Sequence, residues 1–465
     1  MLTRLRVKGF KSLEDVEVRF GPFTCIAGAN GVGKSNLFDA IIFLKNCANM
    51  SIIEAASGIR NGGDHHGQRT SIGSLFTKTA THQADTMEFD VDLLVSETVT
   101  DDFSRPAKPK VTFLRYQLVL RHRKATVGTL EGIELVSESL DGIRKGEAKN
   151  QLGFAPDNEF FESIYVGKST AEFIYTETAS QVVKIRQDQA PGAPLSIDIR
   201  RADRTVLSSI NTIERPTVLA ARREMQSWKL LQLESSSLRR PDEFLAKSAV
   251  SEHGEHLPAT LDRLQKNQEI ANQLAALLPD VKTVSVDVDE KRQLKTLFLE
   301  TTNNIRHEAR ALSDGTLRFL ALAVIGADTA AGGLICLEEP ENGIHPARIP
   351  AIVELLYQMA VDKTAPVDES NPLRQIIVNT HSPLVIQAIA SEDIVVSQGY
   401  KHDGASLSVF YPIENTWRSK MEGTTTVAFG ALIDFLQNGK DALPNDHKMV
   451  RLHDVFKSQL GLLQG

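Results

Sequence analysis

The stretch CIAGANGVGKSNLFDA, residues 25–40, constrains this chain more than any other. It sets Gly28-x-x-x-x-Gly33-Lys34-Ser35 directly after the short apolar run FTCIAGA and directly before KSNLFDAIIFLKNC, whose apolar residues follow helical spacing. Strand, glycine loop and helix together make a phosphate-binding loop out of what would otherwise be a glycine-rich turn. The glycines let backbone N–H groups turn inward around an anion, and the helix beginning near Lys34 adds its positive dipole end. Gly28, Ala29, Asn30, Gly31, Val32, Gly33, Lys34, Ser35 and Asn36 are the candidate nucleotide-binding residues. Lys34 is the residue type that reaches β- and γ-phosphates, and the Ser35 hydroxyl the group that holds Mg²⁺, so ATP and Mg²⁺ are the implied ligands.

Such a loop needs an α/β core around it. After residue 312, apolar strands alternate with helices: SDGTLRFLALAVIGADTA reads as helix, GLICLEE as buried strand, IPAIVELLYQMA as helix and RQIIVNTHS as buried strand. That alternation fits a parallel sheet. Upstream, LRVKGF, VEVRF, MEFDVDLLV, VTFLRYQLVLRH and GIELVSESL carry strand patterns, and VKTVSVDVDE and QLKTLFLET return to them. SWKLLQLESSSL and PATLDRLQKNQEIANQLAALL read as helical. From about 125 to 215 short β patterns alternate with turns, which suggests an inserted arm. The tail places Val450, Val455 and Phe456 at helical spacing.

LICLEEPENGIHP, residues 334–346, is the second chemical element. A buried strand that ends in two acids brings them to the carboxyl edge of a sheet, where α/β proteins bind their ligands. In this Walker B reading Glu338 supports Mg²⁺, and Glu339 orients and polarises the attacking water.

The third element is LSDGTLRFLAL, residues 312–322; alone it reads as a helix N-cap by Ser313 or Asp314. With IIVNTHSPLVI (376–386) and GFKS (Gly9 to Ser12), in the order P-loop, LSDGT, acidic strand, THSP, the chain resembles ABC-type ATPases of the RecF/SMC/OLD-like branch. The likeness covers roughly 1–45 and 300–390 firmly. It implies an α/β fold, an ABC-type P-loop head with mixed sheet and flanking helices, carrying a β-rich and helical insertion between Walker A and the signature motif. The expected divisions are 1–125 as lobe I with the P-loop, 126–215 as the β-rich arm, and 216–300 as a helical part leading into lobe II. Residues 301–400 form lobe II, and 401–465 a C-terminal strand and helical extension. The resemblance also implies a homodimer sandwiching two ATP molecules, with higher oligomers open. Ser313, Asp314 and Gly315 would then meet the nucleotide of the opposite subunit, Asn342 and Gly343 would cross the interface, and catalytic His381 would sense the γ-phosphate.

Two departures stand out. Glu338 occupies a position where many relatives have Asp, so its contact with Mg²⁺ stays open between a direct and a water-mediated one. No glutamine loop is identifiable; Gln68 and Gln226 are candidates without a decision between them. Absences narrow the branch. Only about 300 residues separate the Walker motifs, without sustained heptads or Cys-x-x-Cys, unlike SMC and zinc-hook proteins. Past Ser382 about 80 residues remain, too few for the TOPRIM nuclease of OLD relatives. Asp287 and Asp289 fit a solvated strand face, and Asp64, His65 and His66 a polar loop.

A net charge of −7 argues against a wholly basic nucleic-acid coat. Arg115, Gln117, Arg121 and Arg123 share a strand face that fits either DNA phosphates or solvent, and Arg200, Arg201 and Arg204 pose the same choice. Cys25, Cys47 and Cys336 lie far apart in apolar or helical settings, as reduced core thiols do. No signal peptide or membrane span is visible, so the expectation is a cytoplasmic protein with no membrane partner. Stand-alone ATPases of this form resemble subunits of anti-phage systems such as Septu, in which a separately encoded nuclease or toxin is the effector. A RecF-like DNA-repair clamp and an ATP-stabilised scaffold with negligible turnover are the competing readings.

Overall fold

Period-2 alternation at the N-terminus becomes a hairpin. Leu2–Phe10 and Leu13–Arg19 pair antiparallel, with Val7 opposite Val16, around a turn in which Lys11 adopts φ 49°. The computed structural model describes residues 1–59, 72–126, 129–167, 172–188, 192–247, 249–421, 425–430 and 432. The chain divides into two units, the first of Met1–Trp228, Lys363–Val367 and Ala390–Gly465, the second of Lys229–Asp362 and Asp368–Ile389.

In the first unit the hairpin lies at one edge of an antiparallel sheet, eight-stranded among the described residues. Beyond Leu2–Phe10 follow Thr86–Leu94, Phe113–Arg123, Gly132–Gly142, Glu172–Glu177, Val182–Ile185 and Leu195–Asp198. The segment read as a β-rich insertion or arm from 126 to 215 supplies the last four of these strands. Gly132–Gly142 pairs along the whole of Phe113–Arg123, so the long edge that Phe113–Arg123 would expose is taken up by the next strand of the same chain.

The buried strand Phe23–Ala27 is parallel to Ile394–His402, which pairs antiparallel with Ala405–Pro412. The P-loop helix, Lys34–Cys47, is fastened to the antiparallel sheet by three rings. Phe43 of the helix lies 5.7 Å from Phe10 and 5.5 Å from Phe89, whose rings are 5.7 Å apart. Such aromatic contacts contribute about 0.5–1.5 kcal/mol each beyond burial. They fix where the loop before the helix can sit.

The second unit holds the parallel strands Lys229–Leu231, Gly333–Glu338 and Arg374–Thr380, with Glu338 in register with Asn379. SWKLLQLESSSL was expected to be a helix. Only Ser235–Leu238 is helical; Lys229–Leu231 pairs with the acid-tipped strand, long-range pairing overriding local preference. The predicted helix from 258 to 278 is two helices, Leu257–Leu264 and Asn267–Leu277, separated where Gln265 adopts φ 53°. The signature helix, Asp314–Ala327, ends under Arg374, 2% exposed, which donates to the carbonyls of Gly326 (2.9 Å), Asp328 (2.6 Å) and Ala331 (3.0 Å). One guanidinium thus satisfies the Gly326 carbonyl in the helix's last turn and two carbonyls just past its end, and ties the helix to the histidine-bearing strand. The three cysteines are buried and in no disulfide, as expected.

Candidate functional site

The P-loop strand delivers Gly28 to a place where no side chain fits: a Cβ there would lie 2.3 Å from the Ser397 carbonyl oxygen. Gly33, at φ 93°, ends the loop and caps the helix; its added Cβ would fall 1.9 Å from Ser408 Oγ and 2.7 Å from Ser12 Oγ. A glycine cap brings no side-chain acceptor, and no acid stands in the helix's first turn, so this terminus suits an anion. Lys34, 6% exposed, folds over the loop and donates to the carbonyls of Gly28 (2.7 Å) and Ala29 (2.8 Å). Ser35 is exposed. The cradle fits a polyphosphate. Gly33→Ala is expected to reduce ATP affinity more than about tenfold and to cost about 1–3 kcal/mol of stability, read by nucleotide titration and urea unfolding.

The same unit shows what GFKS does, which its sequence alone did not. Ser12 Oγ accepts from Asn36 Nδ2 at 2.6 Å and shares a 2.6 Å hydrogen bond with Ser408 Oγ, while Lys11 Nζ pairs with Asp39 at 2.6 Å. Both contacts clamp the first turns of the P-loop helix to the N-terminal hairpin. Gln226 donates to the Ala48 carbonyl (3.3 Å) and Asn49 Oδ1 (3.2 Å), beyond the helix's far end. Gln68, Asp64, His65, His66 and the residues expected in the C-terminal helix lie outside the described residues.

In the second unit the remaining candidates meet at one strand end. Glu339 follows the acid-tipped strand with φ 46°, a left-handed conformation that costs about 1–2 kcal/mol outside glycine. Its N–H donates to the Asn379 carbonyl (3.0 Å) and Asn379 Oδ1 (3.1 Å), which holds that conformation. Its carboxylate then meets His381 Nδ1 at 2.8 Å through Oε1 and the Asn342 amide at 2.8 Å through Oε2. Glu338, half-buried at the strand tip, receives Asn379 Nδ2 at 3.4 Å.

The signature residues stand beside this cluster. Ser313 caps the signature helix, accepting from Thr316 N–H at 3.2 Å. Asp314 pairs with Arg239 at 2.5 Å, a bond that lowers its carboxyl below the ordinary value. Gly315 packs so closely that an added Cβ would lie 3.3 Å from the Gly343 carbonyl oxygen. Sequence reasoning missed Asn379, Arg239, Thr380 and Glu341; the last two join the histidine strand to the Glu339 turn, where Thr380 Oγ1 donates to Glu341.

Several arginines of the two basic segments pair with acids. Arg115 makes a two-pronged pair with Asp92 (2.7 and 2.9 Å), Arg123 lies 3.8 Å from Glu134, and Arg200 pairs with Asp198. Asp287 is exposed and Asp289 accepts from the N–H groups of Lys291 and Arg292 in a turn, both at 3.0 Å. Among the described residues no group of three or more His, Cys, Asp or Glu could hold a metal, and no helix is long and apolar enough to cross a membrane.

The family model described as "AAA domain, putative AbiEii toxin, Type IV TA system" matches residues 171–387, and a second, "AAA domain", matches residues 4–45. The DNA replication and repair protein RecF of Phocaeicola vulgatus is 35% identical over 65 residues, 14% of this chain and 18% of that one. An OLD nuclease of Thermus scotoductus is 51% identical over 41 residues, 9% of this chain and 8% of the relative. The chain thus spans under a fifth of the length of either relative. Among solved structures, an SMC head bound to the C-terminal winged-helix domain of ScpA overlays loosely, with a TM-score of 0.47 and 13% identity across 89% of this chain and 98% of that one. The chain carries AAA-family ATPase domains and fits the RecF/OLD-like branch of P-loop ATPases.

Proposed function

We propose that this chain binds and hydrolyses ATP as a switch for head-to-head pairing, and that it serves as the regulatory ATPase subunit of an anti-phage system with a separately encoded nuclease or toxin as effector. The observation that carries the hydrolytic part is the Glu339–His381–Asn342 cluster. It presents a carboxylate with one imidazole and one amide as orienting partners, beside a helix N-terminus capped by Ser313. In this reading Lys34 and the loop N–H groups bind the phosphates, Glu339 takes the proton of the attacking water, and His381 responds to the γ-phosphate. Mg²⁺, when bound, neutralises phosphate charge; Ser35 and Glu338 offer the oxygen donors that a hard cation accepts while keeping several waters.

The regulatory part draws support from the resemblance to stand-alone defence ATPases and from a family description that joins an AAA domain to a toxin–antitoxin system. A RecF-like clamp is the second reading, favoured by the RecF relative. The pairing of Arg115 and Arg200 with acids weighs against a bare phosphate-binding stripe on this chain. Lys34→Ala is expected to weaken ATP binding about 10–100-fold, as loss of a charge-assisted contact does, and to abolish turnover. Full ATPase activity in that variant would end the assignment. Co-purification with the product of the neighbouring gene, and no salt-dependent retention on bare DNA, would support the effector reading over the clamp.

A further inference from the structure

We infer that Glu341 is a positioning residue for ATP hydrolysis, acting through Thr380 to hold the histidine strand against the turn that carries Glu339. The inference rests on the hydrolytic role proposed above for Glu339 and His381.

Two chain segments must be held in register for the cluster to exist. One is the turn 339–344, closed by Asn342 N–H to the Glu339 carbonyl (3.0 Å) and Ile344 N–H to the Glu341 carbonyl (2.9 Å). The other is the end of the histidine strand. The Glu339–His381 contact joins them at the surface, where the His381 side chain is 40% exposed and open to solvent competition. Beneath it runs a second, buried connection. Glu341 is 8% exposed and Thr380 fully buried; the Thr380 hydroxyl donates to Glu341 Oε1 and accepts from Ser382 N–H at 2.9 Å. These bonds fix the residues on either side of His381.

A carboxylate is a costly choice for a purely structural peg. Glu341 Oε2 is buried and accepts no hydrogen bond among the described residues, and burial pushes the carboxyl above its ordinary value. Its neighbour Glu339 pushes the same way and His381 opposes. Groups that fold at such a cost concentrate where a site must be held in one geometry. Here the peg sits two residues from the candidate base and one hydrogen bond from the backbone flanking the histidine.

The test compares steady-state turnover and ATP affinity of Glu341→Ala, Glu341→Gln and Thr380→Val in the full chain, with Glu339→Gln as reference. Glu341→Ala is expected to lower kcat about 10–100-fold, the range for a displaced catalytic group, with ATP Kd within about twofold of wild type. Glu341→Gln keeps an acceptor for Thr380 and is expected to recover most of the loss. Thr380→Val should match Glu341→Ala, and the double variant should be no slower than either single, since both break one connection. Turnover near wild type in Glu341→Ala would overturn the inference, as would loss of ATP affinity in step with kcat, or additive losses in the double variant. Should Glu341→Ala fail to fold, Thr380→Val decides by the same criteria, with turnover near wild type in that variant overturning the inference. Wild-type turnover in Glu339→Gln would instead remove the hydrolytic reading beneath it.

Discussion

Glu339→Gln is expected to lower ATP turnover about 10²–10⁴-fold while leaving ATP binding intact, the range for loss of a general base. The amide has the same shape, and the residue lies outside the loop that cradles the phosphates. Chemically it differs in two ways. It cannot take a proton from water, and it cannot accept from both His381 Nδ1 and the Asn342 amide, because one of its two terminal atoms is now a donor. The left-handed backbone at Glu339 is held by Asn379 and is unaffected by the change, so the variant should fold and trap nucleotide. Rapid-quench turnover beside equilibrium ATP titration separates the two effects. Turnover within a few-fold of wild type would exclude Glu339 as the base.

The second large effect is on folding. Glu138, 1% exposed, accepts from Val206 N–H (2.6 Å), Leu207 N–H (2.7 Å) and the Tyr116 hydroxyl (3.1 Å). The segment it anchors continues to the P-loop helix, since Thr205 donates to the Cys47 carbonyl at 2.8 Å. Glu138→Ala leaves these donors buried without an acceptor and is expected to cost about 3–5 kcal/mol. The wild-type residue also imposes a pH dependence. Burial pushes its carboxyl from 4.5 up to about 7, against the opposing pull of its three donors. Between those values the folded chain holds a proton that the unfolded chain has released, so stability falls as pH rises. The contribution is complete below about pH 4.5 and is lost as pH rises through about 7, for a total of about 3 kcal/mol. Urea unfolding from pH 5 to 8, wild type against Glu138→Gln, isolates this slope. A difference that is flat across the range would contradict the assignment.

Much of the candidate site was legible because its chemistry is written in contiguous residues. Gly28 to Ser35 announces itself by spacing, and Leu334 to Glu339 by four apolar residues before two acids. Asn342 and Gly343 were named through the family resemblance, as interface residues; within the chain the Asn342 amide reaches Glu339 and the Gly343 carbonyl lies against Gly315. What remained hidden depends on pairing across distance. Nothing local in Lys229–Leu231 favours strand over helix; the strand exists because Gly333–Glu338, about a hundred residues later, offers a parallel edge. The stripe at Arg115 looked available for phosphate because its partner Asp92 sits on a neighbouring strand, out of view of a single-strand reading. Glu341 was read only as a letter in a motif. Its burial and its bond to Thr380 arise from the register of two parallel strands, in which Glu338 faces Asn379.

In the proposed switch, ATP drives two copies of this chain together. The most direct measurement is the mass of the purified Glu339→Gln protein by light scattering, with and without ATP and Mg²⁺. A shift to twice the mass, dependent on ATP and absent in Lys34→Ala, is the predicted result. An unchanged mass at saturating ATP, with binding confirmed by titration in the same sample, would contradict the account.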